Sequence, residues 1–375
     1  MSKTISRWKL DNKFENWLGY KADKSEFWKR LYVLYYRLFD NKYYWGGVRL
    51  IDEEIARQIP NVENGYRIIL EKSCLKRDML YSLHRFGTSF EEYFIYKFYT
   101  RNFVSRNTFN TLKMQYGYCE LVNSPAVREL FEDKGACYSK LRNYYKRDLV
   151  VVYSDSDYTY LDDFLKRHQS FIFKPLKGHS GKGIKIYKEF VNPEEFFNNM
   201  IVQGAFVVEE LIDQAGPMSD IHPQSINTIR VATFKLKDRV EIIGTALRIG
   251  TGNSVVDNAG SGGIYANIDT HNGIVNTIAR NNKNDQYTLH PDTNIPIVGF
   301  QIPEWDDAIR MVKELAHIIK GATMISWDLA YSTKGWLIVE GNDVGEPYLY
   351  QAPLQMGKKE LILHLIDEYL MDNTE

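Results

Sequence analysis

The chain lacks most of the features that assign a sequence quickly. It has only three cysteines, Cys74, Cys119 and Cys137, in 375 residues. Scattered and odd in number, they form neither a disulfide framework nor a zinc-ligand pattern. No apolar run approaches the roughly 18 residues needed to cross a bilayer. The opening MSKTISRWKLDNKFENW lacks the unbroken apolar core of a secretory signal. With so little cysteine, the expected compartment is a reducing cytoplasm. No P-loop leads into a helix, and no G-x-G-x-x-G joins a strand to one. No Ser-His-Asp or Cys-His arrangement suggests a nucleophile. Nucleic-acid signatures are missing too, so nucleic acid is not an expected partner.

What is present is an ordinary globular composition, 44% apolar and 25% charged, with a formal net charge of −1. The charge is unevenly spread: residues 1–50 hold 11 Lys/Arg against 5 Asp/Glu. Aromatics interleave with those cations: Trp8, Trp17, Phe27, Trp28, Tyr32, Tyr35 and Tyr36. One reading is a helical scaffold with its rings in a core and its cations in water. The other is peripheral contact with an anionic surface, a lipid headgroup layer or a phosphorylated carrier.

The first third reads as mainly helical. Ser25 can cap a helix on which Phe27, Leu31, Leu34 and Leu38 recur at helical spacing. Ser89-Phe90-Glu91-Glu92 has capping-box spacing, and Arg67–Leu70 is a candidate strand. Ser124-Pro125 starts a short helix that Gly135 is expected to stop, and a second helix runs from Ala136 to about Arg147. Strand Ser170–Pro175 ends in Lys174. It is followed by the glycine-rich stretch Lys177-Gly178-His179-Ser180-Gly181-Lys182-Gly183-Ile184 and a strand from Ile184. Glycines let backbone N–H groups approach phosphate oxygens, and Lys182 adds a point charge; by itself such a hairpin is more often a mere turn. Farther on, Val207–Ile212 reads VVEELI, and two strands carry Arg230 and Arg248 in apolar surroundings. A buried guanidinium needs an anion, either a protein carboxylate or a bound phosphate. The segment 281–296 is polar and expected to be exposed.

Met324–Asn342, MISWDLAYSTKGWLIVEGN, reads as two strands joined by Ser332-Thr333-Lys334-Gly335. Asp328 lies on the first, Glu340 and Asn342 on the second, and the spacing of the last two places them on one face. Two carboxylates and an amide are an incomplete cage of hard oxygens, suited to Mg²⁺ that draws its other ligands from water and phosphate. The alternative is a surface hairpin with solvated acids.

The order of these pieces resembles the ATP-grasp ligase superfamily, and more narrowly its branch associated with sugar transfer for surface polysaccharides. The resemblance runs over roughly residues 123–357, including HPQSINTIRV and VEGNDVGEP. It implies an α+β fold in which two subdomains, 123–207 and 208–357, clamp ATP, flanked by a helical region 1–122 and a C-terminal helix 358–375. It also implies roles. Lys134 and Lys174 would contact the α/β-phosphates and the adenine side. His179, Ser180, Gly181, Lys182, Gly183 and Ile184 would form a flap over the phosphates. Glu209, Glu210 and Ile212 would form the hinge beside adenine. Asp328, Glu340 and Asn342 would hold two Mg²⁺ ions, and Arg248, with Arg230 as a weaker match, would steady the transferred phosphoryl group. The implied reaction activates a carboxylate with ATP for attack by an amine, with an amino acid and a sugar or glycan as substrates. A peptide or small metabolite as acceptor, and a non-catalytic nucleotide-binding scaffold for glycosyltransferases, are the other readings. The remaining histidines (His84, His168, His222, His271, His290, His317 and His364) read as structural or exposed.

Overall fold

The computed structural model describes residues 13–39, 41–58, 72–176, 183–189 and 191–373. It divides into two compact units: residues 1–121, 278–287 and 346–375, and residues 122–277 with 288–345. The candidate strand Arg67–Leu70 and most of the glycine-rich stretch, residues 177–182, lie outside the described residues.

Eleven strands are described: β1 (Leu149–Val152), β2 (Phe171–Pro175), β3 (Lys185–Tyr187), β4 (Phe206–Glu210), β5 (Thr228–Lys235), β6 (Val240–Ile249), β7 (Ile264–Asn267), β8 (Ala279–Arg280), β9 (Gln286–Tyr287), β10 (Met324–Ser332) and β11 (Gly335–Asn342). In the second unit one antiparallel sheet has the order β1-β4-β2-β3. Its core is a cluster of phenylalanines, Phe164, Phe171, Phe173, Phe196 and Phe206, between the strands and two helices, Tyr158–Arg167 and Pro193–Ile201. In the other sheet β11, β10, β5, β6 and β7 lie side by side, again antiparallel. The helix Trp305–Ile318 packs on this sheet. Trp327, Leu329 and Ile338 are fully buried, each contributing roughly 1.5–3 kcal/mol of hydrophobic stabilisation.

Among the described residues, the regular structure of the first unit is helical apart from the short β8–β9 pair. Its capping box forms as the spacing requires: Ser89 accepts from Glu92 N, and Glu92 reaches back to Ser89 N. The helix Glu26–Phe39 departs from expectation. Tyr32, Val33 and Tyr36 are its buried residues, while of the periodic set Phe27, Leu31, Leu34 and Leu38 only Leu31 is half-buried and the other three are exposed. Aromatic rings on the other face win the core because Tyr32 meets Tyr36 and Tyr81 edge-on while Tyr36 stacks face to face on His84.

Two local expectations are corrected. The helix from Pro125 ends at Glu132, and Gly135 does not stop it. Asp133 caps the next helix, Lys134–Tyr145, accepting from Gly135 N and Ala136 N. A short acceptor side chain at the junction is a stronger helix start than a glycine is a stop. The polar segment 281–296 is not simply exposed either. Asn282 and His290 are buried, the latter held by Gly250 O at 2.9 Å and by Thr293.

Candidate functional site

Residues paired directly across antiparallel strands share a face of the sheet. Along β11, β10, β5 and β6, Thr228 pairs with Arg248, Arg230 with Asp328, Asp328 with Glu340, and Ser326 with Asn342. All seven therefore line one face. Simple alternation would not achieve this. Trp336, Ile338, Glu340 and Asn342 have the same parity, so a regular strand would point all four the same way. Instead Leu329 pairs with Ile338 while Asp328 pairs with Glu340, so Val339 is an extra residue. That bulge turns Glu340 and Asn342 away from the Trp336 side and onto the Asp328 side. At the other end of the hairpin, Ser332 faces Gly335, whose φ of +77° closes the turn in a conformation that a Cβ resists.

The two arginines resolve toward carboxylates. Arg230 grips Asp328 through Nε and, at 3.0 Å, Nη2. Arg248 Nη1 reaches the same carboxylate at 2.8 Å, and its Nη2 lies 3.2 Å from Asp257. Asp257 is fixed in turn by Thr228 N and Oγ1. Burial alone would lower the Arg248 pKa; Asp257 and Asp328 outweigh it and raise the pKa above its usual value. Burial pushes the Asp328 carboxyl up, but Arg230 and Arg248 pull it further down, below the usual carboxylate range. Glu340 behaves oppositely. Its side chain is open to solvent yet ringed by protein, as on the wall of a cleft. Those surroundings and the neighbouring Asp328 charge raise its pKa. The buried Asn342 Nδ2 has no hydrogen-bond partner among the described residues.

The four-stranded sheet supplies Lys174, and the helix Lys134–Tyr145 supplies Lys134. Lys174 Nζ lies 2.7 Å from Glu209, which also takes Arg147 Nη2 at 2.7 Å. Burial raises the Glu209 pKa, but Arg147 and Lys174 reverse the effect and leave it at about 2. Arg147 also donates to Ile338 O at 2.7 Å, tying this sheet to β11. Lys134 donates to Leu176 O at 2.9 Å, just ahead of the glycine-rich stretch. Burial lowers its pKa, and Glu340 and Lys174 are both near enough to perturb it. Of the residues expected to form a flap, His179, Ser180, Gly181 and Lys182 lie outside the described residues, while Gly183 and Ile184 lead into β3.

Among the residues expected to form a hinge, the Glu209 carboxylate is committed to Lys174 and Arg147. Glu210 accepts from Asp148 N at 2.9 Å and pairs with Lys334 at 3.2 Å. Ile212 lies past the end of β4, its carbonyl accepting from Gln214 N.

Sequence reasoning missed Arg147 and Asp257. Arg147 had a signal, a cation directly ahead of an apolar strand; Asp257 was hidden in a polar glycine-rich segment. Among the described residues no three His, Cys, Asp or Glu side chains form a protein-only metal cage. Asp328, Glu340 and Asn342 nevertheless fit a hard cation that keeps water or phosphate ligands: Glu340 is open to solvent, and all three side chains carry the oxygens such an ion takes.

No curated protein sequence matches the chain. Among solved structures it is similar to a D-alanyl-alanine synthetase A from Vibrio cholerae O1 biovar eltor str. N16961, at 11% identity and a TM-score of 0.43, over 66% of this chain and 68% of that one. It is also similar to a D-alanine–D-alanine ligase from Bacillus anthracis complexed with ATP, at 12% identity and a TM-score of 0.40, over 65% and 67%. Against an ADP complex of an N5-carboxyaminoimidazole ribonucleotide synthetase it spans 46% of that chain, at 11% identity and a TM-score of 0.38 over 59% of its own length. The family described as sugar-transfer associated ATP-grasp matches residues 113–367, a stretch that contains both sheets of the second unit and every side chain placed above. This chain belongs to the sugar-transfer associated ATP-grasp family.

Proposed function

We propose that this protein is an ATP- and Mg²⁺-dependent carboxylate–amine ligase that couples an amino acid to a uronate-type sugar during surface polysaccharide assembly, in the cytoplasm. Residues 123–207 and 208–357 are its two ATP-clamping subdomains. The observation that carries the reading is the single sheet face that gathers Arg230, Arg248, Asp328, Glu340 and Asn342, with Lys134 and Lys174 close enough to Glu340 to interact electrostatically.

In this reading a substrate carboxylate oxygen attacks the γ-phosphorus of ATP and ADP leaves. The amine then attacks the acyl carbon, phosphate leaves and the nitrogen loses a proton. The chain's own contribution is positioning and charge. Lys134 and Lys174 bind phosphate oxygens, with the glycine-rich segment 179–184 over them. Arg248, aimed by Asp257, meets charge developing on the transferred group; Arg230 orients Asp328. The backbone at Glu209, Glu210 and Ile212 borders the adenine. Asp328, Glu340 and Asn342 would hold Mg²⁺, which when bound neutralises phosphate charge. Release of ADP, measured with uronate-bearing glycans and a panel of amino acids, tests the proposal. A pair that stimulates release supports it, and silence from every pair overturns the sugar version.

A further inference from the structure

We infer that the first two helices of the helical unit form a docking face for an anionic lipid surface. This does not depend on the ligase reading. The helix Glu26–Phe39 has two apolar stripes. One, with Tyr32, Val33 and Tyr36, is buried. The other, Phe27, Leu34 and Leu38, is 63%, 44% and 64% exposed. The preceding helix, Lys13–Ala22, adds Phe14, Trp17 and Tyr20, all exposed. Ring contacts join the two helices into one patch: Phe27 meets Trp28, Trp28 meets Trp17, Trp17 meets Phe14, and Phe14 meets Tyr35, which meets Phe39. An apolar patch of this kind on a water-soluble surface marks an interaction site.

Charge decides the occupant. Lys24, Arg30 and Arg37 are exposed on the same two-helix segment. Lys21 and Lys24 sit over the Trp17 and Tyr20 rings. Two of the segment's acids are taken up within the helical unit, Asp23 by Arg85 and Tyr81 and Glu15 by Tyr36; the third, Glu26, is exposed but offset by its pairing with Lys29. The patch is therefore aromatic and aliphatic with a cationic fringe, which is the composition that settles at the headgroup boundary of an acidic bilayer. A second copy fits poorly, because a two-fold contact would bring the same cations face to face. Among the described residues no helix is long and apolar enough to cross a membrane, so the contact is peripheral.

The test is co-sedimentation of the full chain with vesicles of phosphatidylcholine alone and of phosphatidylcholine with phosphatidylglycerol. Wild type should partition to the acidic vesicles, and raised salt should weaken it. The triple variant Phe27→Ser, Leu34→Ser, Leu38→Ser should lose about tenfold or more in partitioning. The pair Arg30→Glu, Arg37→Glu should lose the preference for acidic lipid. Far-ultraviolet circular dichroism and nucleotide binding, unchanged in both variants, establish that they fold. Absence of partitioning, partitioning indifferent to the triple variant, or sedimentation showing instead that the triple variant splits a dimer would each overturn the inference.

Discussion

The two sheets of the second unit hold their charges differently. On the four-stranded side, three cations (Lys134, Lys174 and Arg147) surround one committed carboxylate, Glu209. On the side of β5, β6, β10 and β11, two guanidiniums face three carboxylates, Asp328, Asp257 and Glu340. One wall has positive charge left over and the other negative. A polyphosphate would suit the first and a divalent cation the second, as the proposed metal–nucleotide substrate requires.

The contrast can be broken most severely at Glu340. Glu340→Gln removes the carboxylate open to solvent on the anionic wall; ligase turnover should fall on the order of 10²–10³-fold, measured as substrate-stimulated ADP release. A scaffold role would leave cellular function intact.

Next comes Arg147→Met, which leaves Glu209 with Lys174 as its single ion-pair partner and cuts the tie to Ile338 O. Urea unfolding should show a loss of about 3–5 kcal/mol, the cost of breaking a buried pair.

Acid should act on the same cluster. The Glu209 pKa is depressed in the folded chain to about 2, from an ordinary 4.5. Its stabilisation is therefore present above pH 4.5 and is lost as pH falls toward 2, roughly 3 kcal/mol in all. A Glu209→Gln chain should lack that component in a pH series of unfolding midpoints.

Asp257→Asn should have a smaller effect, lowering kcat about tenfold with little change in nucleotide affinity, while Asp257→Glu recovers part of the loss. An equal fall in nucleotide binding would reduce Asp257 to a structural role.

The smallest change is Gly345→Ala. A Cβ there would press on Ser326 and Arg230 Nη1, and activity should drop severalfold without unfolding; steady-state kinetics beside a melting curve would separate the two.

Much of this architecture was legible in the residues. The β10–β11 hairpin, its turn, and the strands carrying Lys174, Arg230 and Arg248 follow from alternation and turn chemistry. What alternation cannot register is a surplus residue: nothing in Leu337-Ile338-Val339-Glu340 distinguishes a bulge from a regular strand, and pairing with β10 decides it. The stripe Phe27, Leu31, Leu34, Leu38 misleads for a related reason. Periodicity identifies apolar faces but does not say which of two will find a partner. Arg147 was missed because it acts through Glu209, 62 residues away, and Asp257 because the loop that brings it back to Arg248 has no regular spacing to read.

The extra residue at Val339 also sets how this hairpin can change over time. A gain or loss of one position between Trp336 and Glu340 would swap carboxylate for hydrocarbon on both sides of the strand at once. Changes of length beyond Ser332 and Gly335, at the tip, leave the pairing parity intact. Anyone transplanting this site to another scaffold must carry the irregularity along with the three side chains it orients.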